Sequence, residues 1–362
     1  MSADGYLVFL PANHIQELCM HPRTEVSFGH MVEQYFSTRY TGFGANNATF
    51  LKGTKLGIVS NGSAFIPAMF DEAESCISRI FGAPCPDDDG YVHVNVTYAA
   101  GQTTAQIMAR SFVGKGLSRS GDWVDGQLAY LSFVWAAARG IQAWPMWLQP
   151  LVYRFVKGYR DLREEERRIA DRLRPDFDAA RLGLAGKGIE HTMIDDFLSV
   201  TPPANREDVM FHMTLQYQLI FTAIHPTSET LSTGLSIPAG CQVSYMTDAV
   251  NRDPKRWSDP FEFDPLRFYK LRNSLDEESQ KTKLNYSYSG PDQLNFGYGV
   301  QACCGRVYAG WTIKMVIAEL VLKYDLKLSE GPGTGDVNRN FTVRSQRIGN
   351  PKATILARRR AV

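Results

Sequence analysis

The sequence predicts a mainly α-helical fold with a small β component, and three features of the chain indicate it. Apolar residues recur at helical spacing in long segments, such as 63–81 and 208–231. Strand-like alternation is limited to short stretches, as at 235–250. Hydrophobic residues make up 44% of the 362 residues, which is enough to build a sizeable core. Because no repeat or obvious boundary divides the chain, we expect a single domain over residues 1–362.

The N-terminal half is predicted to consist mostly of helices. Residues 5–20 predict a short strand, a proline turn and a helix. Another helix begins at about Thr97, and the apolar helices of 122–157 are expected to be largely buried. Residues 159–175 alternate in charge, which is typical of an exposed helix stabilised by ion pairs four residues apart.

The C-terminal half begins with the long apolar helix of 208–231, which we expect at the centre of the fold. β-structure around a Pro-Ala-Gly turn is predicted for 235–250. Residues 251–268 are rich in proline and aspartate, which predicts an irregular meander. A second apolar helix covers 307–326, and the tail at 341–360 predicts a terminal β-hairpin.

The composition argues against several classes of protein. The formal net charge is +1 and no long run of one sign occurs, so we expect no nucleic-acid partner. Aromatic residues reach 12%, which favours a small apolar ligand. The six cysteines are dispersed and include no C-x-x-C pair, so we expect a reduced, cytosol-facing protein without a zinc ribbon. We also expect no transmembrane anchor in this chain, because Arg139, Gln142 and Pro145 interrupt its longest apolar stretch.

Residues 296–306, FGYGVQACCGR, place two adjacent cysteines in a glycine-rich turn just before an apolar helix. The glycines permit tight turns and the close approach of the backbone to a flat partner. A cysteine at a helix N-terminus faces unpaired N–H groups, and Arg306 adds positive charge, so both features are expected to lower a thiol pKa. The alternative is that Cys303 and Cys304 are small buried apolar residues beside a helix start.

The pattern F-x-x-G-x-x-x-C-x-G at 296–305 resembles the haem-binding signature of the cytochrome P450 family. Residues 253–268 look like the meander of that family, and the tail at 350–360 is similar to the closing hairpin of its fungal members. Other segments resemble fungal members that oxidise terpenoid-type secondary metabolites, and nearly the whole chain can be placed. The resemblance implies a cytochrome P450-like fold and a haem-thiolate monooxygenase.

The resemblance also assigns roles to the cysteine loop. It implies that Cys303 is the thiolate ligand of haem iron and that Cys304 stands where the family usually has proline. The residues that it implies in binding haem b are Phe296, Gly299, Cys303, Gly305 and Arg306. The resemblance also implies that electrons come from NADPH through NADPH-cytochrome P450 reductase. The substrates would be O2 and a lipophilic small molecule, and the protein would be a monomer. The family's usual location is the cytosolic face of the endoplasmic reticulum membrane.

The run TAIHPTS at 222–228 resembles the part of the family's central helix that crosses the haem face. The resemblance makes His225 and Thr227 a catalytic proton relay, with Pro226 where the usual threonine stands. The alternative is that His225 is a core histidine whose hydrogen bonds are satisfied, and both interpretations stay open. Pro226 removes one backbone hydrogen bond, which predicts a kink in the helix.

Compared with the family, the chain lacks an internal segment near 231–234, so we expect an incomplete version of the fold. That segment normally carries an E-x-x-R motif, whose side chains pair with the meander arginine, here Arg267. Without these partners we expect Arg267 to be buried and unpaired, which is destabilising. A second function therefore stays open, namely a non-catalytic, truncated family member that binds haem weakly or not at all. A cysteine-nucleophile hydrolase is a weaker third alternative, since no local signature assigns its histidine.

Overall fold

The structure is a computed structural model, and it describes most of the chain in segments. The described segments are 7–10, 14–20, 28–44, 47–82, 90–183, 190–221, 242–245, 247–299, 302–328, 341–343, 346–348 and 350–360. The α-helices in these segments are α1 (Ile15–Met20), α2 (Phe28–Tyr35), α3 (Thr38–Thr41), α4 (Ala48–Thr54), α5 (Ile66–Phe81), α6 (Val96–Val113), α7 (Lys115–Ser118), α8 (Gly121–Gln142), α9 (Gln149–Val152), α10 (Lys157–Arg181), α11 (Met193–Val200), α12 (Val209–Phe221), α13 (Thr247–Asn251), α14 (Arg267–Asn273), α15 (Glu278–Lys283) and α16 (Arg306–Lys323). The strands are β1 (Leu7–Leu10), β2 (Val92–Asn95), β3 (Gln242–Tyr245), β4 (Tyr324–Leu328), β5 (Phe341–Val343), β6 (Gln346–Ile348) and β7 (Thr354–Arg359).

The prediction of a mainly helical fold with a small β component is confirmed. The helix expected from about Thr97 is α6, and the charged helix expected at 159–175 is α10. Helix α10 continues through Pro175 because Leu173 and Phe177, on either side of it, are both buried. Helix α12 is the described part of the predicted central helix, and residues 222–231 lie outside the described residues.

The chain divides into two compact units, each built from several segments. The first comprises Met1–Ala48, Val134–Asp161 and Phe221–Gly310, and the second comprises Thr49–Phe133, Leu162–Ile220 and Trp311–Val362. The expectation of a single domain over 1–362 stays a prediction. No helix in the described part of the chain combines the length and the apolar character needed to cross a bilayer.

The second unit contains a three-stranded antiparallel sheet in the order β2-β7-β4. Its inner face packs against α5, α6 and α16, and Tyr324 and Ala357 lie at the centre of that core. The predicted terminal hairpin is confirmed for β5 and β6, which pair with each other. It is wrong for β7, which pairs with β2 and β4 instead, because Ile355 and Ala357 alternate onto this core.

The first unit holds the cysteine loop. Strands β1 and β3 form a parallel pair in it, which confirms the expected strands near the N-terminus and after residue 241. Ile15 of α1, Val250 of α13 and Leu294 form a small buried cluster, against which Tyr298 of the loop packs. The loop is therefore supported by two helices that are distant from it in sequence.

The expectation that 122–157 is largely buried holds for the core-facing side of α8 but is wrong for 144–155. Met146, Trp147, Leu151 and Phe155 are 83%, 74%, 68% and 79% exposed. After the bend at Pro145, the expected second apolar helix is replaced by the single turn α9, which contributes no buried side chain. We call residues 144–155 the apolar tip.

Candidate functional site

Backbone hydrogen bonds close the cysteine loop on itself. The N–H of Cys303 donates to the carbonyl of Phe296 at 2.8 Å, which brings the cysteine back beside the start of the loop. The N–H of Ala302 donates to the carbonyl of Gly299 at 3.1 Å. Gly297 and Gly299 have φ values of 69° and 65°, a left-handed conformation that glycine adopts without steric cost. The two glycines therefore make the turn that presents Cys303.

Gly299 also approaches another backbone segment closely. A Cβ atom at this position would overlap the carbonyl oxygen of Cys19 in α1. The close approach is to α1, which the sequence did not indicate, and the haem-binding role of Gly299 stays a prediction.

Side chains outside the loop hold its first half in place. The ring of Tyr286 packs edge-on against Phe296, with the ring centroids 5.4 Å apart. The hydroxyl of Ser289 donates to the carbonyl of Gly297 at 2.7 Å. Phe296, which the resemblance assigned to haem binding, is thus one of the residues that anchor the loop to its own unit.

The two cysteines differ in their surroundings, and neither forms a disulfide. Cys303 is half-buried, whereas Cys304 is exposed. Although Cys304 is exposed as a residue, the protein atoms around its sulfur displace part of the hydration and raise the thiol pKa, and the neighbouring Cys303 raises it further. The backbone N–H groups and Arg306 lower this pKa, as expected at a helix N-terminus, but they do not outweigh the loss of hydration. The expectation of a lowered thiol pKa is therefore wrong for Cys304.

Arg306 and Gly305 shape the immediate environment of Cys303. The guanidinium of Arg306 donates to the carbonyl oxygen of Cys303 at 3.0 Å, so it fastens the loop to the first turn of α16. A Cβ atom on Gly305 would lie 3.8 Å from the sulfur of Cys303, which is ordinary van der Waals contact, so Gly305 is an immediate neighbour of that sulfur. The haem-binding roles of Arg306 and Gly305 stay predictions.

Arg267 is not the unpaired buried arginine that the sequence led us to expect. It is half-buried, and its guanidinium donates to three backbone carbonyls of the meander. These acceptors are Ser258, Asp259 at 2.7 Å and Glu262 at 2.7 Å. Asp259 has a φ of 48°, so the arginine stabilises a turn that a non-glycine residue seldom adopts. Because three carbonyls replace the expected ion pair, Arg267 retains hydrogen-bonded partners.

The predicted proton relay of His225 and Thr227, together with Pro226, lies outside the described residues. The surface depressions of the described part of the chain include one with a volume of about 410 Å³ and one of about 320 Å³. The larger is lined by Phe268, Tyr269, Arg272, Asn273 and Lys281, and the smaller by Glu33, Gln34, Thr38 and Arg39. Neither lining includes a cysteine.

Comparisons with known proteins were consistent with one another. Residues 225–349 match the family model described as cytochrome P450. The cytochrome P450 monooxygenase ataF of Aspergillus terreus is 23% identical over 393 residues, which cover 89% of this chain and 78% of the relative. An ent-kaurene oxidase of Gibberella fujikuroi is 33% identical over 149 residues, which cover 40% of this chain and 29% of the relative. The crystal structure of the cytochrome P450DA heme domain matches with a TM-score of 0.64 and 14% identity, covering 98% of this chain and 88% of the other.

The alignment with ataF is longer than the part of this chain that it covers. Since 89% of 362 residues is about 322, about 71 of the 393 aligned positions have no counterpart in this chain. These figures do not locate the unmatched positions along the chain, so the absence of an internal segment near 231–234 stays a prediction.

Proposed function

We propose that this chain, which is similar to the cytochrome P450 family, is a haem-thiolate monooxygenase of fungal secondary metabolism. The reaction is the insertion of one oxygen atom of O2 into a lipophilic small molecule, with a terpenoid as the leading class. Fungal monooxygenases among the relatives support the reaction, and the ent-kaurene oxidases support the substrate class.

The observation that carries this proposal is the geometry of the cysteine loop. The residues present suit the sulfur side of haem, because Cys303 offers an unbridged, half-buried thiol at the start of α16. Haem held by a cysteine thiolate supplies the reductive activation of O2, because the thiolate donates electron density to the iron. Phe296, Gly299 and Arg306 keep the loop in the shape that presents this sulfur.

His225 and Thr227 are proposed to hold and transfer the protons that oxygen activation consumes. This role rests on their place in the family's motif. Electrons are proposed to arrive one at a time from NADPH through NADPH-cytochrome P450 reductase, and the chain is proposed to act as a monomer.

The apolar tip supports a location at the cytosolic face of the endoplasmic reticulum membrane. Tryptophan, methionine and phenylalanine side chains are solvent-exposed there, and residues 126–160 contain no aspartate or glutamate. Arg154 and Lys157 add positive charge at its C-terminal end. An exposed apolar surface next to cations is the arrangement that binds an anionic lipid surface.

Co-sedimentation with phosphatidylserine-containing vesicles tests this location. We expect the unmodified protein to bind, and the double variant Trp147→Ser, Leu151→Ser to lose binding. The control is Leu328→Ser, which removes an apolar side chain of similar exposure, 72%, from β4. Equal binding by the tip variant and the control would refute the proposed membrane contact.

The alternative function is a non-catalytic member of the family that binds haem weakly or not at all. About 71 positions of ataF have no counterpart here, and this observation favours the alternative. Reconstitution with haem, NADPH, the reductase and a panel of terpenoids separates the two functions. The proposed enzyme forms products heavier by one oxygen atom, and Cys303→Ser abolishes them. If the unmodified protein consumes NADPH no faster than Cys303→Ser and forms no oxidised product, the result supports the alternative.

A further inference from the structure

Cys303 and Cys304 are adjacent thiols, and neither is bridged to another cysteine. Cys303 is half-buried and Cys304 is exposed, so a reagent in solution reaches Cys304 more easily. Consecutive Cα atoms lie about 3.8 Å apart across a trans peptide bond, so the two side chains remain neighbours whatever the loop does. The haem-binding roles that the resemblance implies use Cys303 and leave Cys304 without a role.

Two observations place the sulfurs of this pair close together. A Cβ atom on Gly305, the residue after Cys304, would lie 3.8 Å from the sulfur of Cys303, so that sulfur lies toward the C-terminal side of its own residue. Displaced hydration raises the pKa of Cys304, and the neighbouring Cys303 raises it further, which requires the two sulfurs to be within electrostatic reach. A bond between them therefore needs only a local rearrangement.

The backbone around the pair is a turn, which can accept a bond between neighbouring side chains. Residues 304–305 form this turn, and α16 begins at Arg306. The N–H of Ala309 donates to the carbonyl of Gly305 at 2.9 Å, so the helical hydrogen bonds begin after the pair. Gly305 has no side chain, which leaves the adjoining backbone free to adjust. Closing a disulfide here therefore breaks no helical hydrogen bond.

We propose that Cys303 and Cys304 form a reversible disulfide that withdraws the haem ligand, with oxidised glutathione as the oxidant. The regulatory effect rests on the proposed function, because a bridged Cys303 has no thiolate to offer to iron. Formation of the bond itself does not depend on haem or on the monooxygenase reaction.

The reaction consists of two successive thiol–disulfide exchanges. The thiolate of Cys304 attacks one sulfur of oxidised glutathione, so that a mixed disulfide forms and one glutathione thiolate leaves. The thiolate of Cys303 then attacks the sulfur of Cys304 and releases the second glutathione thiolate. These two thiolates take up the two protons that the cysteines lost. The protein is thus oxidised by two electrons, and oxidised glutathione is reduced to two molecules of glutathione.

The short separation of the two residues makes this disulfide easy to reduce. The Cα atoms of bridged cysteines usually lie roughly 4.4–6.8 Å apart, whereas those of adjacent residues lie about 3.8 Å apart. The bond is therefore strained, and strained or exposed disulfides have the more oxidising potentials that are typical of regulatory bonds. In a reducing cytosol both thiols are free, and the bond forms when the glutathione pool becomes oxidised.

Mass spectrometry of the full chain without haem tests the bond. The protein is incubated with oxidised glutathione at mildly alkaline pH, because the raised pKa of Cys304 slows its attack at neutral pH. We expect the peptide that contains both cysteines to lose two hydrogen atoms and to regain them with dithiothreitol. Cys76→Ser, which removes a thiol that is 0% exposed, is the matched control and reacts in the same way. A lasting glutathione adduct on Cys304, a bridge to another cysteine, or two free thiols would overturn the proposal.

Electron paramagnetic resonance of ferric haem tests the regulatory effect. Chains are oxidised before they are loaded with haem, and no reductant is added, because a reductant would also open the disulfide. We expect the low-spin signal of thiolate ligation to be absent from the oxidised, unmodified protein and to return with dithiothreitol. Cys304→Ser, treated in the same way, retains the signal.

A thiolate signal that persists in a chain with a mapped disulfide, or that is lost equally in Cys304→Ser, would overturn the regulatory effect. The failure of the proposed function gives a different result. In that case the untreated protein has no thiolate signal, and the peptide mass still decides whether the bond forms.

Discussion

Replacement of Arg267 by methionine tests whether this arginine stabilises the meander. The variant removes three hydrogen bonds from a charged donor to the carbonyls of Ser258, Asp259 and Glu262. Such bonds contribute about 1.5–3 kcal/mol each when buried. Arg267 is half-buried, so water replaces part of this contribution, and we expect a total loss of about 2–4 kcal/mol.

Urea unfolding followed by fluorescence measures this change in the free energy of unfolding. Arg272→Met is the matched control, because Arg272 lies on the same helix, is exposed, and is expected to contribute less than about 0.5 kcal/mol. An Arg267→Met variant that is as stable as the Arg272→Met control would refute the reasoning. It would also restore the sequence-based interpretation, in which Arg267 has lost its stabilising partners.

Three further predictions concern single substitutions. Gly299→Ala introduces a Cβ atom against the carbonyl of Cys19 at a φ of 65°, and we expect it to cost about 2–3 kcal/mol in thermal unfolding, whereas Gly116→Ala, in open space, is near neutral. Asn95→Ala removes the capping side chain that accepts the N–H of Tyr98, in the first turn of α6, at 2.8 Å, and we expect a loss of about 1 kcal/mol in urea unfolding. Two neighbouring arginines lower the pKa of Asp325 by hydrogen bonding, so its carboxylate stabilises the fold above the unfolded pKa, and this contribution disappears as the pH falls through the folded pKa. We therefore expect Asp325→Asn to lower Tm at pH 7 and to have no effect on Tm at strongly acidic pH. An equal effect at both pH values would contradict the stabilising role of the ionised Asp325 carboxylate.

The helical architecture could be predicted because apolar residues recur at helical spacing over long segments of the sequence. Helix α10 shows the limit of such patterns. A proline normally ends a helix, yet α10 continues through Pro175, because burial of Leu173 and Phe177 outweighs the lost hydrogen bond. Strand β7 shows the same limit, since its pairing is decided by a core that is assembled from distant segments.

The candidate site could be predicted at the level of its motif and not of its contacts. The spacing from Phe296 to Gly305 identified the loop, and the resemblance named Cys303. The contact of Gly299 with α1 and the hydrogen bonds of Arg267 depend on tertiary neighbours, which no local pattern encodes. The raised pKa of Cys304 has the same origin, because hydration of the sulfur depends on the folded chain.

The central claim is that the sulfur of Cys303 ligates haem iron, and one spectrum tests it most directly. The chain is loaded with haem, reduced and exposed to carbon monoxide, and the Soret band is recorded. We predict the red-shifted band typical of thiolate ligation for the unmodified protein and for Cys304→Ser, and its loss in Cys303→Ser. A band that survives in Cys303→Ser, or that is absent from the unmodified protein, would contradict the claim.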